Sequence, residues 1–407
     1  MRNVNFSIAF LALTFLLPQS VSAEEKPKKS LFHYFKKHEV DIFPVPVFET
    51  RPDKGNSYGL MPVLLLSDDK NAIKAIFAAI GQYNTVTNFD TAALAYFYPE
   101  PEQELLFFGE FAQRYAREAS VRFFDPHLGK FYIESDVAYT KTPFGHFFGI
   151  GPERAEDDRS NFTSRNFRVD LTGGYYLVDH FRVNLTTRIH TTDLLNRAMT
   201  QYDDTLRRYG TLPNVVDSTN WINEISVAFD NRRDREFSKK GSVAEIGFLF
   251  SRKELLSDKN FSGFSFEGIH LMNFLSEKMT TALRFHFEQL FGNGIPFYEL
   301  STLGGPTELR SFTPLRFVDR GMIVFQIEER IRLFKWKLMG IPFEGYTDPF
   351  IELGRVFDSA NHLGLDHWQP VGGLGLRLFV PPNVVGRIDF AVGSDGFEIY
   401  TALGYPF

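Results

Sequence analysis

The stretch Met322–Phe334, MIVFQIEERIRLF, constrains the fold more than any other. Ile323, Phe325, Ile327, Ile331 and Leu333 share one parity, while Gln326, Glu328, Arg330 and Arg332 share the other. Strand side chains alternate between faces, so a strand here is greasy on one side and charged on the other. FRVNLTTRIH repeats the split, with Phe181, Val183, Leu185 and Ile189 against Arg182, Asn184, Arg188 and His190. In MTTALRFHFEQLF, Leu283, Phe285 and Phe287 oppose Arg284, His286 and Glu288. Segments of roughly ten such residues, separated by turns, recur from about Ser57 onward, which is the pattern of a transmembrane β-barrel.

Alternation alone also fits a soluble β-sandwich, so other features choose. Aromatic residues make up 16% of the chain, with 45 Phe, yet mean hydropathy is only -0.18, so large apolar side chains are interleaved with polar ones. Arg2, the apolar run FSIAFLALTFLLP and the small residues of VSA before Glu24 compose a secretory signal peptide over 1–23, cut after Ala23. Beyond it no window of about 18 uncharged apolar residues exists, so any membrane crossing falls to strands. The expectation is an all-β chain folded as a transmembrane antiparallel β-barrel of about 16 strands in the bacterial outer membrane, with a long extracellular loop folded inward.

Strands are expected near 57–66, 72–84, 88–99, 103–122, 130–147, 163–177, 179–190 and 219–230. Eight more follow near 241–251, 261–275, 278–291, 321–334, 346–358, 371–380, 384–393 and 396–406. With a periplasmic N-terminus, the short connections LVDH, LSEK and PPN fall on the periplasmic side and the long ones, about 191–218 and 292–320, fall outside. Residues 24–50 read as a periplasmic N-terminal tail that enters the lumen or lies on its rim, and 51–407 as the barrel.

A formal charge of -6 without a basic stripe excludes a nucleic-acid binder. No cofactor or metal is expected, since no ligand spacing appears and Gly304 and Gly305 do not lead from a strand into a phosphate-binding helix. His286, beside Arg284 and Glu288 on an inward face, reads as a lumen-lining polar residue rather than part of a catalytic set. The chain is not expected to be an enzyme.

In LGGPTELRSF, Gly304 and Gly305 precede Leu309, Arg310, Ser311 and Phe312 between two strands. With FDNRRDREFSKKGS (Phe229–Ser242), PFIELGRVFD (Pro349–Asp358) and GGLGLRLF (Gly372–Phe379), this resembles the BamA/TamA outer-membrane protein family, the bacterial surface antigen barrels. The resemblance covers nearly all of the chain past the signal peptide. It implies that the sixth extracellular loop folds back into the barrel and that its arginine meets a carboxylate on the inner wall. Matched residue by residue, that arginine is Arg310, its partner is Glu352 where the family has aspartate, and Ser311 stands where the family has glycine. Parity agrees, because Glu352 lies opposite Ile351 and Leu353.

The ending FEIYTALGYPF is similar to the C-terminal signal read by the barrel-assembly machinery, with Tyr405 and Phe407 as its aromatics; Phe407 also fits a last lipid-facing girdle residue. Outer-membrane lipid and lipopolysaccharide are the expected surroundings. The resemblance implies translocation or insertion of an undefined client, polypeptide or lipid, although the family's periplasmic POTRA repeats find no room in this chain. A general diffusion porin or structural barrel is the alternative, and an outer-membrane lipid hydrolase a third reading.

Overall fold

Period-two patterning builds one antiparallel sheet, and in a bilayer that sheet must satisfy every backbone N–H and C=O within itself. The computed structural model describes residues 39–407 except 52–53, 69–72, 101, 233–237, 274–277, 339–340 and 381–383. The expected signal peptide and the start of the expected tail lie outside the described residues, as do 275–277 of the LSEK connection and the whole of PPN.

The chain opens with β1 (Glu39–Arg51), β2 (Gly55–Ser67), β3 (Ile73–Asn84), β4 (Asn88–Phe97), β5 (Glu104–Ala112) and β6 (Arg117–Leu128). Next come β7 (Phe131–Phe147), β8 (Ser160–Val178), β9 (Phe181–Leu195), the two-residue β10 (Asp203–Asp204), β11 (Ser218–Asp230), β12 (Gly241–Ser251), β13 (Phe261–Met272) and β14 (Met279–Gly292). The long loop carries β15 (Ser301–Leu303) and β16 (Phe317–Asp319), which pair only with each other. β17 (Gly321–Leu338), β18 (Ile341–Phe357), β19 (Gln369–Val380), β20 (Val384–Gly393) and β21 (Gly396–Leu403) complete the wall. Successive long strands pair as antiparallel neighbours, and β21 returns alongside β1.

The main sheet has 19 strands among the described residues. One of them, β10, is a short parallel contact with β8, so eighteen rather than about sixteen have spanning length. The first addition is β1, which falls within the expected tail 24–50 and pairs with β2 from Glu39↔Ser67 to Arg51↔Gly55. Pro44 and Pro46 argue against an interior strand, but β1 is the first strand of the sheet, where a missing N–H is tolerated. The second addition arises because 103–122 divides into β5 and β6. Its turn, Gln113–Ala116, contains neither Gly nor Pro and reverses through Tyr115 at φ 63, so sequence signals for a turn are missing. Adding two strands ahead of the long loop preserves parity: the loop stays extracellular and five long strands still follow it.

The two faces are opposite to those of a soluble protein. Ile351 is 64% exposed while its neighbour Glu352 is 0% exposed, so the apolar parity faces lipid and the charged parity is enclosed. Exposed aromatics gather toward both rims, Tyr58, Tyr83, Phe89 and Phe111 near one and Phe131, Tyr175, Phe181 and Trp336 near the other. Phe147, Phe162, Leu290, Phe297, Leu300 and Val318 pack beneath the extracellular loops as a buried apolar cluster.

Candidate functional site

The long loop, 293–320, turns into the lumen because its backbone is built to reverse. Gly304 and Gly305 adopt φ +115 and +101, and a Cβ on Gly304 would come within 2.2 Å of the Thr313 carbonyl oxygen. Gly304 N–H donates to Glu308 O (3.0 Å), Gly305 N–H to Phe312 O (2.8 Å), and Phe312 N–H to Leu309 O (3.0 Å), closing a compact knot. Leu309, Arg310, Ser311 and Phe312 are buried. Leu303, Leu309 and Phe312 pack with Phe317, Met322 and Phe350 as an apolar collar around the arginine.

Arg310 is 0% exposed and reaches three carboxylates. Its backbone N–H donates to Glu352 Oε2 (2.6 Å) and its Nε to Glu352 Oε1 (2.8 Å), while Nη1 donates to Glu328 Oε2 (3.0 Å) and lies 3.4 Å from Asp389 Oδ1. Gln326 Nε2 donates to the same Glu352 oxygen at 2.6 Å and to Thr307 O at 2.8 Å. The guanidinium carbon sits 3.4 Å from the centre of the Phe350 ring, a cation–π contact in a dry setting. Burial disfavours the charged form of Arg310, but Glu352, Asp389 and Glu328 outweigh it and raise its pKa above the ordinary value. The arginine is therefore divided among several acids instead of forking onto Glu352 alone.

Those acids belong to a larger enclosed network. Arg377 Nη1 lies 2.7 Å from Asp389 and its Nε 3.0 Å from Asp348; Arg330 Nε lies 3.0 Å from Glu328; Arg387 Nη1 lies 3.4 Å from Asp389. Arg310, Arg330, Arg377 and Arg387 thus face Glu328, Asp348, Glu352 and Asp389, four cations against four anions, all 5% exposed or less.

Further bonds hold the loop tip. Glu308 meets Arg284 (3.0 Å) and His286 (2.9 Å), Arg387 Nη2 donates to Pro306 O (2.9 Å), and Tyr400 Oη donates to Phe312 O (2.6 Å). Burial pushes the Glu308 carboxyl up, but Arg284 and His286 prevail and bring it down to about 2. Nearer the mouth, Arg316 Nε lies 2.5 Å from Asp395 Oδ2, and Glu299 Oε1 lies 2.6 Å from His190 Nδ1. Ser311 is accommodated by Gly393, where any Cβ would fall 2.1 Å from Ser311 Oγ.

Tyr405 and Phe407 do not lie on the lipid face that their parity suggests. Gly404 turns at φ +79 after β21, and Tyr405 then stacks on Arg330, whose guanidinium carbon is 3.6 Å from its ring centre. Arg330 Nη2 donates to Phe407 O at 3.2 Å, and the Phe407 ring packs against inward Val243, Ile269, Leu271 and Ala282. Sequence reasoning singled out Gly304, Gly305, Leu309–Phe312 and Glu352, and the structure brings all of them together. It missed Asp389, Arg377, Arg387 and Asp348; the available signal was their shared inward parity, visible also for Glu328 and Arg330, but parity does not say which inward charges meet.

The Omp85 superfamily domain model matches residues 103–366, more than half of the chain. The chain belongs to the Omp85 superfamily. Among solved structures, BamA from Haemophilus ducreyi lacking POTRA domains 1-3 matches this Omp85 chain with a TM-score of 0.52 at 12% identity, covering 92% of this chain and 75% of that one. CdiB from Escherichia coli gives 0.47 at 10% identity, covering 90% and 63%, and CdiB from Acinetobacter baumannii gives 0.43 at 9%, covering 91% and 66%. At such identities the likeness speaks to fold. No curated protein matches the chain significantly. This Omp85 member is a β-barrel of the bacterial outer membrane, and its inward loop belongs to the matched region.

Proposed function

We propose that this barrel passes a client, polypeptide or lipid, across or into the outer membrane, with the loop 293–320 as the element that moves. The supporting observation is Arg310: it is wholly buried among Glu352, Glu328 and Asp389 although it lies at the tip of an extracellular loop. The loop tip is bonded to the wall through side chains, and the backbone bonds at the loop's base, Phe297 N–H to Asn214 O and Gly151 N–H to Val318 O, join other loops, so the tip can leave without breaking any ladder of the wall. A general diffusion porin needs a standing aqueous path, which a loop bonded across the lumenal side of β14, β17, β18, β20 and β21 opposes. His286 offers little to the hydrolase reading, since among the described residues its ring bonds Glu308 and Arg284 and no serine or threonine hydroxyl.

Planar-bilayer conductance of the purified protein beside Arg310→Ala tests this. Small, fluctuating currents that grow in the variant are expected. Large, steady and identical currents in both proteins would reject the docked plug and favour the porin. Lipopolysaccharide at the extracellular rim and the barrel-assembly machinery during insertion are the partners proposed with this reading.

A further inference from the structure

Lumenal walls of outer-membrane barrels are polar, yet the middle of the inner face of β2–β5 is apolar, between Ser57, Gln82, Asn84 and Asp90 toward one rim and Glu104 toward the other. On inward parity Val47, Met61 and Leu106 are buried, while Val63, Ile80, Leu94 and Phe108 remain only partly covered. The register joins these positions into one panel: Val63↔Ala78, Ala78↔Leu94, Leu94↔Phe108. At β6 the panel stops abruptly, because Leu106 lies across from Arg122. From there inward positions carry ion pairs: Arg122 Nε is 3.5 Å from Asp136, Arg168 Nη2 2.9 Å from Asp136, and Arg188 Nε 2.5 Å from Asp170. The lumen beside the docked loop therefore has an apolar wall directly abutting a charged one.

The membrane side of the same panel is also unusual. Pro62, Leu64, Phe77, Ala79, Ala93 and Phe107 help to line an apolar cavity of about 640 Å³, within the size range of small-molecule sites. Ala79, Ala93 and Gly109 are cross-strand neighbours, so the wall is thinnest there. Both faces of β2–β5 are consequently apolar in their middle, and one of them borders the bilayer.

We propose that the inner face of β1–β5 holds the acyl chain of a membrane lipid whose head group lies on the ion-paired wall of β6–β9. An acyl chain suits this panel better than a polypeptide does. The backbone groups of β2–β5 are engaged in their ladders, so the panel offers side-chain carbon and few hydrogen-bond partners. A peptide laid there would leave its own N–H and C=O groups unmatched, which is costly when they are buried, whereas an acyl chain carries none. Arg122, Asp136, Arg168 and Asp170, one to three strands beyond β5, supply the polar contacts that a head group needs. The inference deepens the client-passage reading by naming the client's class and takes from it only the idea of a client. The test reads binding rather than passage, so conductance and adduct formation fail separately.

A photoreactive benzoylphenylalanine is placed at Leu94, on the apolar inner wall, and in a second protein at Ser265, inward on β13 and away from both the panel and the ion-paired wall of β6–β9. Both full chains are reconstituted into vesicles of phosphatidylethanolamine and phosphatidylglycerol and irradiated. Lipid-mass adducts at Leu94 exceeding those at Ser265 at least tenfold are expected. An Ile80→Asn change in the Leu94 probe protein should cut that yield several-fold while the barrel keeps its heat-dependent gel mobility. Adducts at Leu94 made only with a polypeptide, including another part of this chain, would overturn the proposal, as would equal lipid yields at the two sites or no adduct at Leu94.

Discussion

Removing Arg310 while keeping the barrel intact probes the loop's attachment most directly. Four arginines and four carboxylates are enclosed together, so Arg310→Ala leaves one uncompensated negative charge among Glu352, Glu328 and Asp389. Breaking a buried ion pair from one side costs about 3–5 kcal/mol, chiefly because the abandoned partner stays buried. At about 1.4 kcal/mol per decade, the undocked population should rise roughly a hundred- to a few thousand-fold. Glu352→Leu should cost a similar amount, since it strands the guanidinium and also frees Gln326 Nε2. The double variant Arg310→Met with Glu352→Leu should cost less than the sum, because apolar groups of similar volume can replace a buried pair almost neutrally. The assay is native-state proteolysis of the loop in detergent, whose rate follows the open population when closing is faster than cleavage. A coupling energy of at least about 2 kcal/mol is expected from the double-mutant cycle. Strict additivity, or single variants as protease-resistant as the parent, would refute the account of Arg310 as the loop's anchor.

Other outcomes follow from neighbouring contacts. Glu308, held down to about 2 by Arg284 and His286 against a usual 4.5, stabilises docking at every pH above about 4.5 and loses that contribution as pH falls toward 2. The depression corresponds to an effect on the order of 3 kcal/mol, so loop protection should decline as pH falls below about 4.5, and Glu308→Gln should remove that acid-sensitive step. Gly393→Ala would set a Cβ 2.1 Å from Ser311 Oγ, so it should accelerate loop cleavage at least tenfold, with Ser311→Gly in the same chain restoring most of the protection.

The barrel was legible because its signal is redundant: each of many segments repeats the same two-faced alternation, and Ile351 beside Glu352 suffices to show which face meets lipid. Strand number was less legible at the two places where local chemistry misleads. Pro44 and Pro46 weaken β1 as a strand on propensity grounds, yet an end strand tolerates them. The β5–β6 reversal uses Tyr115 at positive φ, where sequence rules look for glycine or asparagine. Within the site, Arg310 and Glu352 were findable from a motif and from parity. Asp348, Asp389, Arg377 and Arg387 were not, because ion-pair partners are chosen by three-dimensional register across four strands. Tyr405 and Phe407 mislead for a related reason: strand parity is projected past Gly404, whose φ of +79 ends the strand and sends both aromatics inward.

The loop tip and the wall are held by different kinds of bond, and this separation decides what can move. Every long strand from β1 to β21 is fixed by backbone ladders, which tie each neighbour at many points. The loop tip is held instead by side chains from β14, β17, β18, β20 and β21: Arg284, Gln326, Glu328, Glu352, Arg387 and Tyr400. Its release therefore disturbs charge balance but not the sheet. Arg330 extends the same logic to the periplasmic end, because it bonds Glu328, stacks on Tyr405 and donates to Phe407 O. A displacement of the C-terminal residues and a displacement of the loop thus act on one carboxylate, Glu328, from opposite sides.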